Sequence, residues 1–343
     1  MPEKSFCAAK AAFCRKAGGN KMNWMKKAVA SALAAGMLAG FLPAVSFAET
    51  THNIEQEGVS LGAGDCTGGC QGHVVTGTCD ATMAWNRHKI DIDGGTHTII
   101  LRGCSIMTPG AGGAVHTASS ALDVHNGANV TLVLEGENEL HGDTNHPAIW
   151  VEPGSTLTIE GTGALNAYAG SGTLSTGSAA IGSSYGANTN FGDIVIHSGT
   201  VYAEGSGGGA GIGGGYQLGT GSTSGNITIT GGWVRAFGGK AGASSGAGIG
   251  SGENADYTGT VTISGGVVYA VGGDDDSLSI GAGGRGVGSS GSGTFTTGTD
   301  GNAVIVAPQG IGMWRAMQIG TAFSSAMTAS RALPPWARTA WCI

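Results

Sequence analysis

The chain has 343 residues, of which 67 are glycine and only 11% are charged. Proline is scarce and glycine follows no strict three-residue period, which excludes collagen, while the recurrent Val, Ile and Leu argue against disorder. Residues 49–308 carry six basic and twenty-two acidic side chains, so nucleic acid is excluded as the expected partner of this region.

Residues 22–48 have the pattern of a secretory signal peptide. Lys26 and Lys27 precede an apolar run, and Ser46-Phe47-Ala48 supplies a small-residue cleavage site. The apolar run is short for a membrane span, so cleavage is expected rather than anchoring. The mature chain is therefore predicted to begin near Glu49, to contain no transmembrane segment, and to be secreted or held on the bacterial cell surface.

Residues 1–21 do not fit in front of a signal peptide. The letters AGGNKM can be encoded with a purine-rich track just before Met22. Our hypothesis is that translation starts at Met22 and that 1–21 is a leader annotated in error.

Residues 49–87 are predicted to form a small cysteine-bearing cap. Four cysteines lie between the predicted signal peptide and residue 309: Cys66, Cys70, Cys79 and Cys104. In an exported protein this even set predicts two disulfides, with three possible connectivities. Free thiols are the alternative. Zinc is disfavoured because no matching histidine pair accompanies the cysteines.

Residues 88–308 contain a repeat. The segments AAIGSSYG, AGIGGGYQ, AGIGSGEN and LSIGAGGR place isoleucines at 181, 212, 249 and 280, which are 31, 37 and 31 residues apart. Two short apolar runs follow each segment, as in GNITITGG and WVRAFGG. Because GAGIGGG (209–215) recurs in register, it indicates a repeated corner and not a dinucleotide fingerprint, which needs a strand–turn–helix unit.

Apolar residues alternate along each run, so one parity faces an interior and the other faces solvent. No window after the signal peptide has a sustained helical period. The prediction is an all-β, right-handed parallel β-helix of about seven rungs, in which equivalent strands stack about 4.8 Å apart and share a narrow core.

The repeats, preceded by VTLVLEGENEL (130–140), resemble secreted carbohydrate-binding-domain β-helix proteins of gut bacteria. The resemblance covers about 88–308. It implies the β-helix fold and, more generally, a polysaccharide ligand that related proteins bind with calcium. It transfers no ligand residue to this chain.

The outward positions of the last strand in each repeat carry large aromatic side chains. Trp and Tyr faces suit sugar rings, and an arginine among them suits a uronate carboxylate. The candidate carbohydrate-binding residues are Trp233, Tyr202, Tyr269, Arg235, Phe237 and Tyr168. The alternatives are that a loop covers these rings or that their stacking only supports the sheet.

Asp274, Asp275 and Asp276 form the densest acidic cluster. Calcium prefers such oxygen ligands, so these residues are the candidate metal site, and a solvated loop is the alternative. No other cofactor is expected.

Catalytic motifs such as G-x-S-x-G and H-E-x-x-H are missing from the sequence. Arg235 and Glu204 form the one candidate catalytic pair. The expected function is therefore a non-catalytic, monomeric β-helix that binds polysaccharide or host glycans. A polysaccharide lyase or hydrolase, a structural or adhesive solenoid and an ice-binding threonine face are the alternatives.

Residues 309–343 are predicted to be irregular. The glycine-rich and threonine-rich texture stops after Gly312, and the tail has three arginines and no acidic residue. Our hypothesis is a frameshift near Gly312, and the alternative is a genuine disordered tail.

Overall fold

The computed structural model describes residues 49–65, 72–79, 88–107, 119–284, 293–298 and 302–312. Every regular element in these ranges is a β-strand. The predicted leader, signal peptide and tail beyond Gly312 lie outside the described residues, as do Cys66 and Cys70.

The strands coil into a parallel β-solenoid of about seven turns, which confirms the predicted fold class. Each full turn contributes one strand to each of three surfaces, which we call faces A, B and C. Equivalent strands of successive turns pair in parallel and in register, so residues one repeat apart form columns along the solenoid axis.

Face A is a nine-stranded sheet. Its strands are Val59–Gly62, Ile90–Asp93, Leu122–His125, Ile149–Val151, Ile181–Gly182, Ile212–Gly213, Ile249–Gly250, Ile280–Gly281 and Ile311–Gly312.

Faces B and C belong to a 15-stranded sheet and share the long strand Thr96–Met107. The other face B strands are Asn129–Glu135, Thr156–Gly161, Asp193–Ile196, Ile227–Ile229, Thr260–Ile263 and Thr294–Thr297. The other face C strands are Glu137–His141, Ala164–Tyr168, Thr200–Glu204, Trp233–Phe237, Gly266–Val271 and Ala303–Val306.

Two short pairs decorate the coil outside the three faces. Gly221–Thr223 pairs in parallel with Ala255–Tyr257, and Lys240–Ala241 forms an antiparallel pair with Ser244–Ser245.

The core is a thin apolar column enclosed by the three faces. Face A contributes Ile181, Ile212, Ile249 and Ile280, which are paired in register and fully buried. Faces B and C contribute the inward parity of each strand, as at Leu157 and Val201. Burial of each such side chain contributes about 1.5–3 kcal/mol to folding. A single turn could not bury it, because the neighbouring turns complete the core.

The predicted cap contributes a further turn to the same coil. Thr50–Asn53 pairs with His73–Cys79, which in turn pairs with Thr96–Met107, and every pairing is parallel. At the other end the coil continues to Ile311–Gly312, slightly beyond the predicted boundary.

The prediction of two disulfides is wrong, because Cys104 is a buried thiol. Cys104 lies opposite Gly77, whereas Cys79 lies opposite Ile106, two residues further along the strand. This diagonal offset of about 8 Å between Cα atoms exceeds the span of a disulfide. Burial and the nearby Cys79 raise the pKa of the Cys104 thiol to about 12.

Candidate functional site

Face C carries a ladder of aromatic rings on its outward side. The strand pairings place Tyr168, Glu204 and Phe237 in one outward column and Tyr202, Arg235 and Tyr269 in another. These are the columns predicted from the alternation of the sequence. The aromatic ladder, as we call it, consists of His141, Tyr168, Tyr202, Phe237 and Tyr269.

The rings of the aromatic ladder contact one another along the solenoid axis. His141 and Tyr168 are stacked, with ring centroids 4.7 Å apart. The next contacts, Tyr168 to Tyr202 and Tyr202 to Phe237, join tilted rings at 5.6 and 5.3 Å. Phe237 and Tyr269 extend the series at 5.8 Å. These ring contacts restrict the orientations of the rings and cover part of their faces, in line with the alternative that the rings support the sheet.

Arg235 lies among these rings. Its guanidinium carbon is 5.4 Å from the Tyr202 ring centroid and 5.5 Å from that of Phe237, within the range of cation–π attraction. The Tyr202 hydroxyl donates a 2.6 Å hydrogen bond to Oε2 of Glu204. Burial and this bond raise the pKa of Tyr202 well above its ordinary value, so its hydroxyl stays protonated.

Trp233 is the aromatic residue of face C that most contacts solvent. It lies in the neighbouring outward column, between Thr200 and Val267, and exposes 43% of its surface. Val267 is 42% exposed, so the two side chains form a continuous apolar surface beside Arg235. Trp233 is therefore not fully covered by a loop.

The repeat at the base of this surface matches a known family. A family model described as "Beta helix repeat" matches residues 194–216, 227–253 and 261–284. The chain is a β-helix protein. No curated protein and no solved structure matches it.

The matched segments of this β-helix protein contain most of the predicted carbohydrate-binding residues. Tyr202, Trp233, Arg235, Phe237 and Tyr269 fall within them. Tyr168 belongs to the preceding turn.

Within the described ranges, no helix has the length and apolarity needed to cross a membrane.

The three predicted calcium ligands lie in the turn that follows face C. Oδ1 of Asp274 accepts hydrogen bonds from the Ser245 hydroxyl (2.6 Å) and from the backbone of Asp276 (2.9 Å). Asp275 and Asp276 are exposed. The structure does not gather the three carboxylates around one point, and the described residues hold no group of three His, Cys, Asp or Glu arranged for a metal ion. Calcium binding here stays a prediction.

The candidate catalytic pair is not joined by an ion pair between its two described side chains. Glu204 accepts the hydrogen bond of Tyr202, and the Arg235 guanidinium lies over aromatic rings. This arrangement directs Arg235 toward the rings of Tyr202 and Phe237. It does not place a base beside an acid.

A second polar cluster, which the sequence did not predict, lies on face A of the first turns. The ammonium of Lys89 contacts Oδ1 of Asp91 at 2.9 Å and Oδ2 of Asp123 at 2.6 Å. His125 and Trp150 stack beside these residues, with ring centroids 6.1 Å apart. We call these five residues, with Asp93 and Glu152, the face A cluster.

Lys89 is a permanent cation of this cluster at neutral pH. Burial alone would lower its pKa, but the hydrogen bonds with Asp123 and Asp91 outweigh burial and raise it. The available signal in the sequence was the shared alternation of IDID, LDVH and AIWV, which places Asp91, Asp123 and Trp150 at equivalent outward positions.

Proposed function

We propose that this β-helix protein binds polysaccharide without catalysis, using face C as its contact surface. The observation that carries the proposal is the partly exposed Trp233 beside Arg235 and the aromatic ladder. An indole offers an apolar surface to the C–H face of a sugar ring, and neighbouring polar groups bind the hydroxyls at its rim.

The aromatic ladder supports this surface in two ways. Stacking holds the rings before any ligand arrives, so less conformational entropy is lost on binding. The tyrosine hydroxyls and the Glu204 carboxylate provide hydrogen-bonding groups along the edge of the ladder. Arg235 adds a cation that suits the carboxylate of an acidic sugar.

The regular spacing of the turns favours a polymer over a single sugar. Equivalent side chains recur about every 4.8 Å along the solenoid axis. A glycan lying along this axis would contact several turns, each through weak interactions that add together. The predicted secretion or surface location would bring the protein to such polymers, and calcium remains a candidate additive in the binding assay.

A glycan array followed by affinity measurements tests the proposal. The double variant Trp233→Ala/Tyr202→Ala should weaken the best ligand by about 30-fold or more, the effect expected for the loss of a central aromatic contact. Leu218→Ala is the matched control, because Leu218 is another exposed apolar side chain, 48% exposed, that lies away from face C.

Three outcomes separate the competing functions. Loss of binding in the double variant alone supports face C as the contact surface. Unchanged binding removes face C from consideration. Release of new reducing or unsaturated ends from pectins or glycosaminoglycans, with or without calcium, would show that the protein is an enzyme and would overturn the non-catalytic function.

A further inference from the structure

The face A cluster combines an aromatic surface with an excess of negative charge. Its single ammonium, Lys89, is shared between Asp91 and Asp123. Two more carboxylates, Asp93 and Glu152, lie at the following outward positions of the same turns. Counting only the lysine and the four carboxylates, the cluster has a formal charge of 1 − 4 = −3.

The outer carboxylates are held in place by one residue. The side-chain amide of Asn126 donates to Oδ1 of Asp93, and the backbone N–H of Asn126 donates to Oε2 of Glu152, both at 2.6 Å. Each of these bonds engages one oxygen of its carboxylate. The second oxygens of Asp93 and Glu152 have the acceptor capacity that a cationic ligand requires.

Trp150 provides the apolar surface of the cluster. Its indole is half-buried and stacks on the imidazole of His125 at an interplanar angle of 19°. The residue that pairs with Trp150 in the next turn is Gly182, so this column adds no side chain over the indole. His125 also lies 3.4 Å from Oδ1 of Asp91, which links the aromatic pair to the charged group.

We propose that the face A cluster is a second binding site, for an oligosaccharide that carries protonated amines. A sugar ring would lie against Trp150, and its ammonium groups would pair with the carboxylates of Asp91, Asp93 and Glu152. The charge of the cluster repels uronates, which distinguishes this site from face C with its exposed Arg235. The site uses other residues than face C and does not depend on the proposed function.

Calorimetry with two hexamers that differ in the acetylation of their amines, and hence in charge, tests the proposal. The probe is a glucosamine hexamer at low ionic strength and about pH 6, and the control ligand is the N-acetylglucosamine hexamer, whose amines are blocked. The glucosamine hexamer should bind at least about 10-fold more tightly than the N-acetylglucosamine hexamer, which is the effect of one good ion pair.

Matched variants locate the binding. Asp91→Asn/Asp93→Asn should weaken glucosamine-hexamer binding at least about 10-fold while Asp123 still pairs with Lys89. Glu160→Gln/Asp193→Asn removes the same charge from face B and should leave binding unchanged. Trp150→Ala should weaken binding to a similar extent, and Trp150→Phe should restore most of it because a ring is retained.

Several results would overturn the site. Equal weakening by the Asp91→Asn/Asp93→Asn variant and by the face B control variant would show that the oligomer binds only to the overall negative charge. Equal affinity for the two hexamers, or full affinity in Trp150→Ala with an unchanged circular-dichroism spectrum, would exclude the cluster. Trp233→Ala should not change the binding of the glucosamine hexamer. If face C binds no glycan, the proposed function fails but the face A cluster is still tested by its own variants.

Discussion

Faces A and C are built from the same repeat but present opposite kinds of surface. On face C the outward positions keep bulky side chains from turn to turn, such as Tyr202, Arg235 and Tyr269. On face A the outward column that contains Asp91, Asp123 and Trp150 changes at Gly182 into glycine in every later described turn. The same periodic coil therefore presents bulky side chains on face C and only glycine in this column of the later turns of face A.

Close approach of the backbones explains the glycines of face A. Gly213 has a φ of 132° and Gly250 a φ of 136°, which side chains rarely adopt. A Cβ atom on Gly213 would overlap the carbonyl oxygen of Gly250. The letters GAGIGGG thus mark a site of backbone packing. A side chain enters this column only in the first turns, where the face A cluster lies.

Gly213→Val would break this comparison most severely. The substitution forces a β-branched residue into a left-handed conformation and against the backbone of the next turn, so we expect a loss of about 5 kcal/mol or more, or no folding. Chemical denaturation followed by circular dichroism measures it. Gly186→Ala is the control, because Gly186 lacks a positive φ and its nearest neighbour would be 3.8 Å away, and stability comparable to that of the control would contradict the packing role.

Ile212→Ala tests the core beneath the same column. Ile212 is fully buried and paired with Ile181 and Ile249, so the cavity should cost about 2–5 kcal/mol of unfolding free energy. Val267→Ala, on the exposed side of face C, should change stability by less than about 0.5 kcal/mol. A similar cost at both positions would mean that the two sides of the coil are not distinguished.

Tyr202→Ala separates the aromatic ladder from Trp233. Tyr202 contacts the rings of Tyr168 and Phe237, and each such contact is worth about 0.5–1.5 kcal/mol, so we expect a loss of about 1–3 kcal/mol. Trp233→Ala should cost less than Tyr202→Ala in the same denaturation assay. The reverse order would assign Trp233 to support of the sheet and would weaken its role as a ligand contact.

Acidification should have the smallest effect, confined to the first turns. Burial, with His52 and His97 nearby, lowers the pKa of His73 below its ordinary value, and the neutral form is therefore favoured in the folded state. Stability from this histidine is complete above the unfolded pKa of about 6.5 and is lost as the pH falls through the folded value. Hydrogen exchange should show faster opening of Thr50–Asn53 at low pH, and His73→Gln should remove this dependence.

The columns of faces B and C could be predicted from the sequence because strand alternation is strict and the repeat is regular. The column of Tyr202, Arg235 and Tyr269 follows from parity and from the position of the glycine corners. The sequence left open whether the rings contact one another, because such contacts depend on side-chain rotamers that alternation does not specify.

The face A cluster could not be predicted from the sequence, and the reason is different. Lys89 and Asp123 are 34 residues apart, and the early turns follow a looser pattern than the glycine-rich ones. Asp91 and Asp93 alternate along one strand and so share a face, but their neighbours belong to two further turns. Only the register of Ile90–Asp93 with Leu122–His125 brings the ammonium and the carboxylates together.

Cross-linking of engineered cysteines tests the stacking of the turns most directly. Thr228 pairs with Thr262, and Thr262 with Thr296, on the outward side of face B. Cα atoms one turn apart lie about 4.8 Å from each other, within disulfide range, whereas those two turns apart lie about 10 Å from each other. Thr228→Cys/Thr262→Cys should form an intramolecular disulfide under mild oxidation, and Thr228→Cys/Thr296→Cys should not. Equal cross-linking of both pairs, or of neither, would contradict the coil on which both proposed surfaces depend.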